Sequence, residues 1–350
     1  MSTRYFNRTL VAAGLCLSLS LSAMAQDSPD DVETQKRGQT GMKFLSTSVD
    51  ARTAAIGSAV TAETEGSSVS LFYNPASMAG MPGMFHVGFG RTDFIASFGY
   101  NNLSLAFRPS GANYGVFGLS FVNVDYGDFF QTVRAENAEG FEELGTYSPQ
   151  AFAAGLGYAR SLTDRFSIGA HVKYVKQDLG SHAIQRSESG DLTMRDYAVS
   201  TAAVDFGILY RTGFRSMIIA MSTRNFSQEL TYVRENFELP LSFQIGVAMD
   251  VLDLMGSAAA AHALNLKVDA TRPRDFTEHF KFGAEYVFAP IETASLALRA
   301  GLGQDAEEEG ISLGAGLGYD MGSFRAAIDY AYTDFGVFGS LNRFALQIGF

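Results

Sequence analysis

The sequence predicts an all-β chain. It reads as an antiparallel transmembrane β-barrel of about fourteen strands, with a short, partly helical N-terminal segment in or under the lumen. Three observations carry this expectation: period-two alternation over most of the chain, connections that alternate short and long, and an unusual composition. Charged residues make up 18%, below the roughly 25% of ordinary globular chains. There are 29 Phe, 15 Tyr and 36 Gly but no Trp, a mixture that suits strands better than helices. No stretch reaches the roughly 18 uninterrupted apolar residues that a transmembrane helix needs. If the chain crosses a membrane, it does so with strands.

The N-terminus reads as an export signal. Arg4 and Arg8 precede a short apolar run, Leu10 to Leu21, and Ala23-Met24-Ala25 gives the small-x-small pattern, so cleavage is expected between Ala25 and Gln26. Cys16, the single cysteine, lies inside this signal. Leu15 stands where a lipoprotein signal has a small residue. A mature chain cut there carries no disulfide and must draw its stability from elsewhere, as a closed barrel does. The expected division is a signal peptide at 1–25, a flexible mature N-terminus at 26–40, an inner plug-like segment at 41–83 and the barrel at 84–350. Its expected location is the outer membrane of a Gram-negative-type envelope, with membrane lipid as its surroundings. The net charge of −11 argues against a nucleic-acid partner, which needs a basic footprint.

Alternation is clearest in four stretches. Phe166, Ile168, Ala170, Val172 and Tyr174 interleave with Ser167, Gly169, His171 and Lys173, and Phe280 to Phe288 behaves alike. Ile311, Leu313, Ala315, Leu317 and Tyr319 interleave with Ser312 and three glycines; Phe324 to Tyr332 repeats the pattern. Each stretch has one apolar face and one small or polar face. Many run about 9 to 13 residues, long enough to cross a bilayer at a tilt, whereas soluble strands average about five or six. The expected strands are one within 84–100, then 102–108, 114–124, 149–160, 165–177, 199–211, 216–224, 239–251, 260–270, 277–288, 293–301, 310–321, 323–333 and 342–350. Connections at Thr163-Asp164, Thr212-Gly213, Ala289-Pro290 and Met321-Gly322 are tight. Those at 125–148, 178–198, 225–238, 302–310 and 333–342 are longer and polar, which fits short periplasmic turns and long outer loops. The stretch 251–261 is too apolar for a bare loop.

The chain ends on Arg343-Phe344-Ala345-Leu346-Gln347-Ile348-Gly349-Phe350. Phe344, Leu346, Ile348 and a terminal Phe350 have the form of the signal that barrel-assembly machinery reads. Residues 40–82 break the alternation. Phe44 to Ser58 could form a short helix, and Phe72-Tyr73-Asn74-Pro75-Ala76 follows a small, polar stretch. Asn74 suits an N-cap and Pro75 the first helical position. The segment either caps the first strand or folds into the lumen, where it would block or gate passage.

At these residues the chain resembles a known family. Gly41 to Leu45, Asp50 to Gly57 and Phe72 to Ala76 are similar to the opening of the PorV/PorQ family, itself related to FadL-type barrels that also carry an Asn-Pro-Ala near the start. Leu162 to Gly169, Ala203 to Gly207 and Asp329 to Tyr332 look like the family's later strands. The resemblance implies a fourteen-stranded barrel with an inner N-terminal segment. It also implies one of two tasks. One is a part in type IX secretion, binding or shuttling exported cargo proteins with secretion-system subunits as partners. The other is FadL-like passive transport of hydrophobic small molecules, released sideways.

No catalytic, cofactor or metal site is expected. His86, His171, His182, His262 and His279 are scattered singly, without metal or hydrolytic spacing. No G-x-S-x-G occurs, and the glycines sit at strand alternation. The acidic runs, Asp305 with Glu307-Glu308-Glu309 and the 125–148 connection with six acids against Arg134, read chiefly as solvated outer loops. Lys173, Glu285, Arg299, Arg325, Asp329 and Arg343 fall on the less apolar strand faces. Since Arg or Lys on the lipid face costs about 2–4 kcal/mol at mid-membrane, these charges should point inward, paired with one another or with the inner segment.

Overall fold

The computed structural model describes residues 39–350 apart from 64, 111–113, 187–190, 260 and 304–309. The export signal with Ala25 and Gln26, the stretch 26–38 and the acidic run Asp305 to Glu309 lie outside the described residues.

Fourteen antiparallel strands close into one barrel. They are β1 (Phe85–Asp93), β2 (Gly99–Phe107), β3 (Val116–Asp125), β4 (Gln150–Ser161) and β5 (Phe166–Arg186). Next come β6 (Leu192–Arg211), β7 (Ile218–Ser227), β8 (Ser242–Asp250), β9 (His262–Pro273) and β10 (His279–Ile291). The last four are β11 (Ala294–Gly303), β12 (Ile311–Asp320), β13 (Arg325–Asp334) and β14 (Ser340–Gly349). Each pairs with its sequence neighbours, and β14 returns to β1, with Phe89 opposite Leu346. Closure leaves no strand edge, the condition for a sheet to sit in hydrocarbon. No described helix is long and apolar enough to cross a membrane.

Alternation sorts the side chains as the composition requires. Phe89, Leu105, Leu119, Leu156, Phe206, Val247, Phe282, Leu298, Leu317, Ile328 and Phe344 stand exposed on the outside, which makes the outer face an apolar band suited to lipid. The alternate positions, such as Ser104, Ser120, Lys173, Asp205, Lys267, Glu285 and Arg299, are buried inside.

Differences from the sequence reading fall outside the membrane-height part of the strands. β5 and β6 run on through most of 178–198 as one tall hairpin, with register shifts near Asp178 and Ser181. Once these strands leave the apolar band, nothing demands an apolar outer face, so the alternation that marks a strand fades. The 125–148 connection holds a two-stranded hairpin, Phe129–Arg134 with Phe141–Tyr147, and 225–238 holds a shorter one, Leu230–Tyr232 with Glu235–Phe237. The apolar stretch after β8 is a 3-10 helix, Val251–Ala259.

The N-terminal segment fills the lumen. An eight-stranded barrel is closed by its own side chains, whereas larger barrels leave space; here residues 39–83 occupy it. They form α1 (Ala51–Ala55) and 3-10 turns at Lys43–Leu45, Ser68–Phe72 and Pro75–Gly80, in place of one longer helix over Phe44 to Ser58. Gly57, Ser58, Gly66 and a run of small residues interrupt regular helix in a space that admits only a narrow strand of chain. Thr40, at the end of the stretch expected to be flexible, is buried and bridged to Glu238 in the outer loop after the short hairpin. The segment thus starts at the long-loop end and reaches the short-turn end at Met84, where Met84 and Phe85 N–H both donate to the Phe350 carbonyl (2.6 and 3.0 Å).

Candidate functional site

The site is the plugged lumen, and the wall is shaped to seat the segment. Asn74 caps the Pro75–Gly80 turn by accepting from Ala76 N–H at 3.0 Å, and its amide donates to the Thr61 carbonyl (2.8 Å) and to the Ile208 carbonyl of β6 (3.3 Å). Gly207 of β6 lies under the Asn74 side-chain oxygen and Gly169 of β5 under the Pro75–Ala76 peptide, and neither place has room for a Cβ. Inward glycines elsewhere play the same part. Gly118 and Gly157 receive Leu71, and Gly283 and Gly301 receive Ile56 and Gly57. Phe72 and Tyr73 are buried in the outer-half core, and Ala76 packs with Leu209, Ile218 and Ala220.

Wall side chains also bind the segment's carbonyls. Asn102 donates to Val49 O (2.6 Å), Arg343 to Ser48 O (3.1 Å), Arg224 to Leu45 O (3.3 Å) and Arg108 to Ala79 O (2.7 Å). Such contacts satisfy backbone groups that have no ladder partner inside the barrel.

Two polar clusters stand at mid-height on opposite walls. On the β9–β13 side, Arg52 of α1 is bidentate to Glu285 (2.9 and 2.8 Å) and pairs with Glu63 (3.1 Å). Lys267 holds Glu63 at 2.7 Å, and Arg299 joins Glu285 (2.7 Å) to Asp329 (2.6 Å). Burial pushes the Glu63 carboxyl upward, but Arg52 and then Lys267 outweigh it and hold it at about 2. Burial, aided by Asp329, raises Asp50, which caps α1 by accepting from Thr53 N–H.

On the β3–β7 side, Ser120, His171, Asp205 and Lys173 form a ladder. Asp205 accepts from His171 Nδ1 (3.0 Å) and from Lys173 (2.8 Å), so His171 Nε2 is left to accept from Ser120 (2.7 Å). The contacts resemble a Ser-His-Asp relay. Ser120 is buried, however, and His171 fills the space above Gly155, so the ladder ties β3, β5 and β6 together. It also serves a bulge. Arg224 and Asn225 of β7 together oppose Asp205, Asn225 has φ +62°, and its N–H donates to Asp205 at 2.6 Å. The extra residue turns Arg224 toward the inner segment.

Of the inward charges expected to pair, Glu285, Arg299 and Asp329 come together around Arg52. Lys173 meets Asp205, and Arg343 meets Ser48 and Thr333. Arg325 instead pairs with Asp320 at the short-turn rim (2.6 Å). The sequence pattern does not mark Glu63 or Lys267, and the one signal for Arg52 is a lone Arg in an Ala-rich stretch destined for an enclosed space. Phe344 and Leu346 lie exposed on the outer face of β14, with Ile348 half-buried beside them; the terminal Phe350 ring lies 5.5 Å from Phe324. Among the described residues no group of His, Cys, Asp or Glu is placed to hold a metal.

The two ends of the lumen differ in chemistry. The outer half is apolar, with Met42, Phe44, Leu45 and Val49 of the segment packed on Tyr100, Val122, Val124, Val175 and Leu239. Above it a chain of ring contacts climbs to the rim. Phe237 covers Gly41, Tyr232 meets Phe237 (5.9 Å) and Tyr197 (6.3 Å), and His182 meets Tyr197 (5.6 Å) and Tyr147 (4.4 Å). Tyr147, Pro149, Leu179, His182 and Tyr197 line an open outer cavity of about 350 Å³. At the short-turn end a cavity of about 700 Å³ has a mixed lining, with the charged Arg52, Glu285, Arg299 and Asp329 facing Val287, Ala297 and Leu317.

No protein-family profile matches the sequence, and no curated protein matches it. Solved structures do match in fold. The Pseudomonas putida toluene transporter TodX aligns over 85% of this chain and 96% of its own, with TM-score 0.56 and 11% identity. The Ralstonia pickettii toluene transporter TbuX gives 85%, 96%, 0.55 and 11%. A Pseudomonas aeruginosa FadL homologue gives 86%, 98%, 0.52 and 10%. The chain therefore has the fourteen-stranded barrel fold of the FadL-type outer-membrane channels. At this identity the likeness is one of fold alone.

Proposed function

We propose that this protein is a passive outer-membrane transporter for apolar small molecules. The observation that carries the reading is the run of ring contacts from the outer cavity, through Tyr197, Tyr232 and Phe237, to the packed apolar outer half of the lumen. A solute following these contacts exchanges water for rings and aliphatic side chains at each step, gaining about 25 cal/mol per Å² of apolar area buried. The mid-height ion clusters offer it nothing further, so the solute leaves sideways into the bilayer. The bulge at Arg224 and Asn225, a register shift in the β6–β7 pairing at mid-height beside the segment, is the exit we assign. No reacting group is needed for such passage, and two of the fold neighbours named above are described as toluene transporters, which supports a transport reading over a catalytic one.

Uptake of labelled toluene by cells carrying the intact protein, against cells carrying an empty vector, tests the proposal. Faster uptake supports it, and equal uptake refutes it. The secretion reading keeps one observation of its own. The outer hairpin Phe129–Tyr147 exposes Phe130 and Phe141, side chains suited to a protein surface. Removing 128–143 would abolish capture of secreted proteins under that reading and leave uptake intact under ours.

A further inference from the structure

We infer that the short-turn corner formed by β4 to β7 is a binding site for the phosphate of an anionic phospholipid. Arg160 is the last but one residue of β4, Arg165 lies in the β4–β5 turn, Arg211 ends β6 and Arg215 lies in the β6–β7 turn. Pairing brings these turns together. The Arg211 N–H donates to the Arg165 carbonyl at 2.8 Å, and the Arg165 guanidinium lies over Gly213, close enough that a Cβ there would sit about 3 Å from it. Gly213 has φ +81° and Arg215 φ +52°, which folds the β6–β7 turn tightly beside Arg165.

None of the four arginines forms an ion pair with a described residue. Elsewhere on the same rim, Arg325 is held by Asp320 at 2.6 Å. The acids of the adjoining turns are Asp164, Asp250 and Asp253, and Asp250 is already engaged by the Leu252 and Leu264 N–H groups. A protein with a net charge of −11 thus gathers surplus positive charge at one corner of its short-turn end.

Apolar side chains at the same level point to a lipid as the source of the anion. Leu162 and Phe214 in the two turns are 52% and 57% exposed, and Leu254 and Met255 in the neighbouring 3-10 helix are 56% and 70% exposed. Phe166 and Tyr210 pair across β5 and β6, and Ile168 and Ile208 follow them up the outer face. Interfacial aromatics and arginines at headgroup depth favour an acidic leaflet, and a guanidinium fork matches phosphate oxygens. The phosphate would sit among the guanidiniums of Arg165, Arg211 and Arg215, with Arg160 at the lipid-facing edge and acyl chains along Ile168 and Ile208.

The test is native mass spectrometry of the full-length barrel released from vesicles of equal phosphatidylcholine and phosphatidylglycerol. The expected result is preferential retention of phosphatidylglycerol, with the preference falling about tenfold or more in R165Q/R211Q/R215Q. The lysine triple variant should keep most of it, and an outer-loop control, R134Q/R195Q/R234Q, should keep all of it. Heat-shifted gel mobility confirms that each variant is folded. Equal retention of both lipids by the unaltered protein would overturn the inference, as would an unchanged preference in the folded glutamine variant. Displacement of the lipid by millimolar inorganic phosphate would assign the corner to free phosphate instead.

Discussion

The Asn74 side-chain oxygen rests directly on Gly207 of β6, in a space with no room for a Cβ. This contact joins the Asn-Pro-Ala turn of the inner segment to the barrel wall, and Gly169 makes the same approach one strand away. Gly207→Ala should therefore cost about 1–3 kcal/mol by overpacking. Asn74→Ala removes the clash along with the bonds to Thr61 and Ile208, so the two substitutions should be non-additive. Thermal melts of the two single variants and the double variant measure the coupling. Independent, additive losses would mean that the segment does not seat on this wall.

Much of this was legible in the sequence. All fourteen barrel strands were marked by alternation, because lipid outside and a crowded lumen inside impose opposite demands on successive residues. The tall β5–β6 hairpin was not, since Asp178 to Arg186 and Leu192 to Asp196 stand above the lipid where the demand lapses. The segments around Asn74, Gly169 and Gly207 each carry a family resemblance in the sequence. Their mutual contact could not be read, because it depends on close approach between backbones distant in sequence. The ion cluster was half visible: Glu285, Arg299 and Asp329 were expected to face inward, while Arg52 as their shared partner required the fold.

Arg52 binds Glu285 and Glu63 at once. Arg52→Gln leaves both carboxylates short of a partner, and breaking such a buried pair typically costs about 3–5 kcal/mol. Stability should fall by that order, and single-channel recordings in planar bilayers should show openings that the unaltered protein lacks. Unchanged stability and silence in the bilayer would show that Arg52 does not hold the segment.

Acid should act through Glu63. Its carboxyl is held at about 2 in the folded protein, below its value of about 4.3 in an unfolded chain. A depressed carboxyl contributes stability fully above the unfolded value and loses it as pH falls toward the folded one. Melting temperature should thus decline between about pH 4.3 and pH 2, and Glu63→Gln should lower the plateau and flatten this limb. An identical acid limb in the variant would assign the loss to other groups.

The outer ring cavity should govern capture. Each aromatic contact is worth about 0.5–1.5 kcal/mol, so replacing both His182 and Tyr197 by Ala should slow toluene uptake at low concentration about tenfold. Saturating concentrations should restore the rate. Unaltered uptake at every concentration would remove this cavity from the route.

The central claim, that the lumen serves apolar molecules, is tested most directly by purifying the protein from native membranes in mild detergent and identifying all that co-elutes by mass spectrometry. The account predicts a barrel that emerges without stoichiometric protein partners and carries a bound apolar small molecule. Recovery of secretion subunits or exported proteins in stoichiometric amounts, with no such molecule, would contradict it.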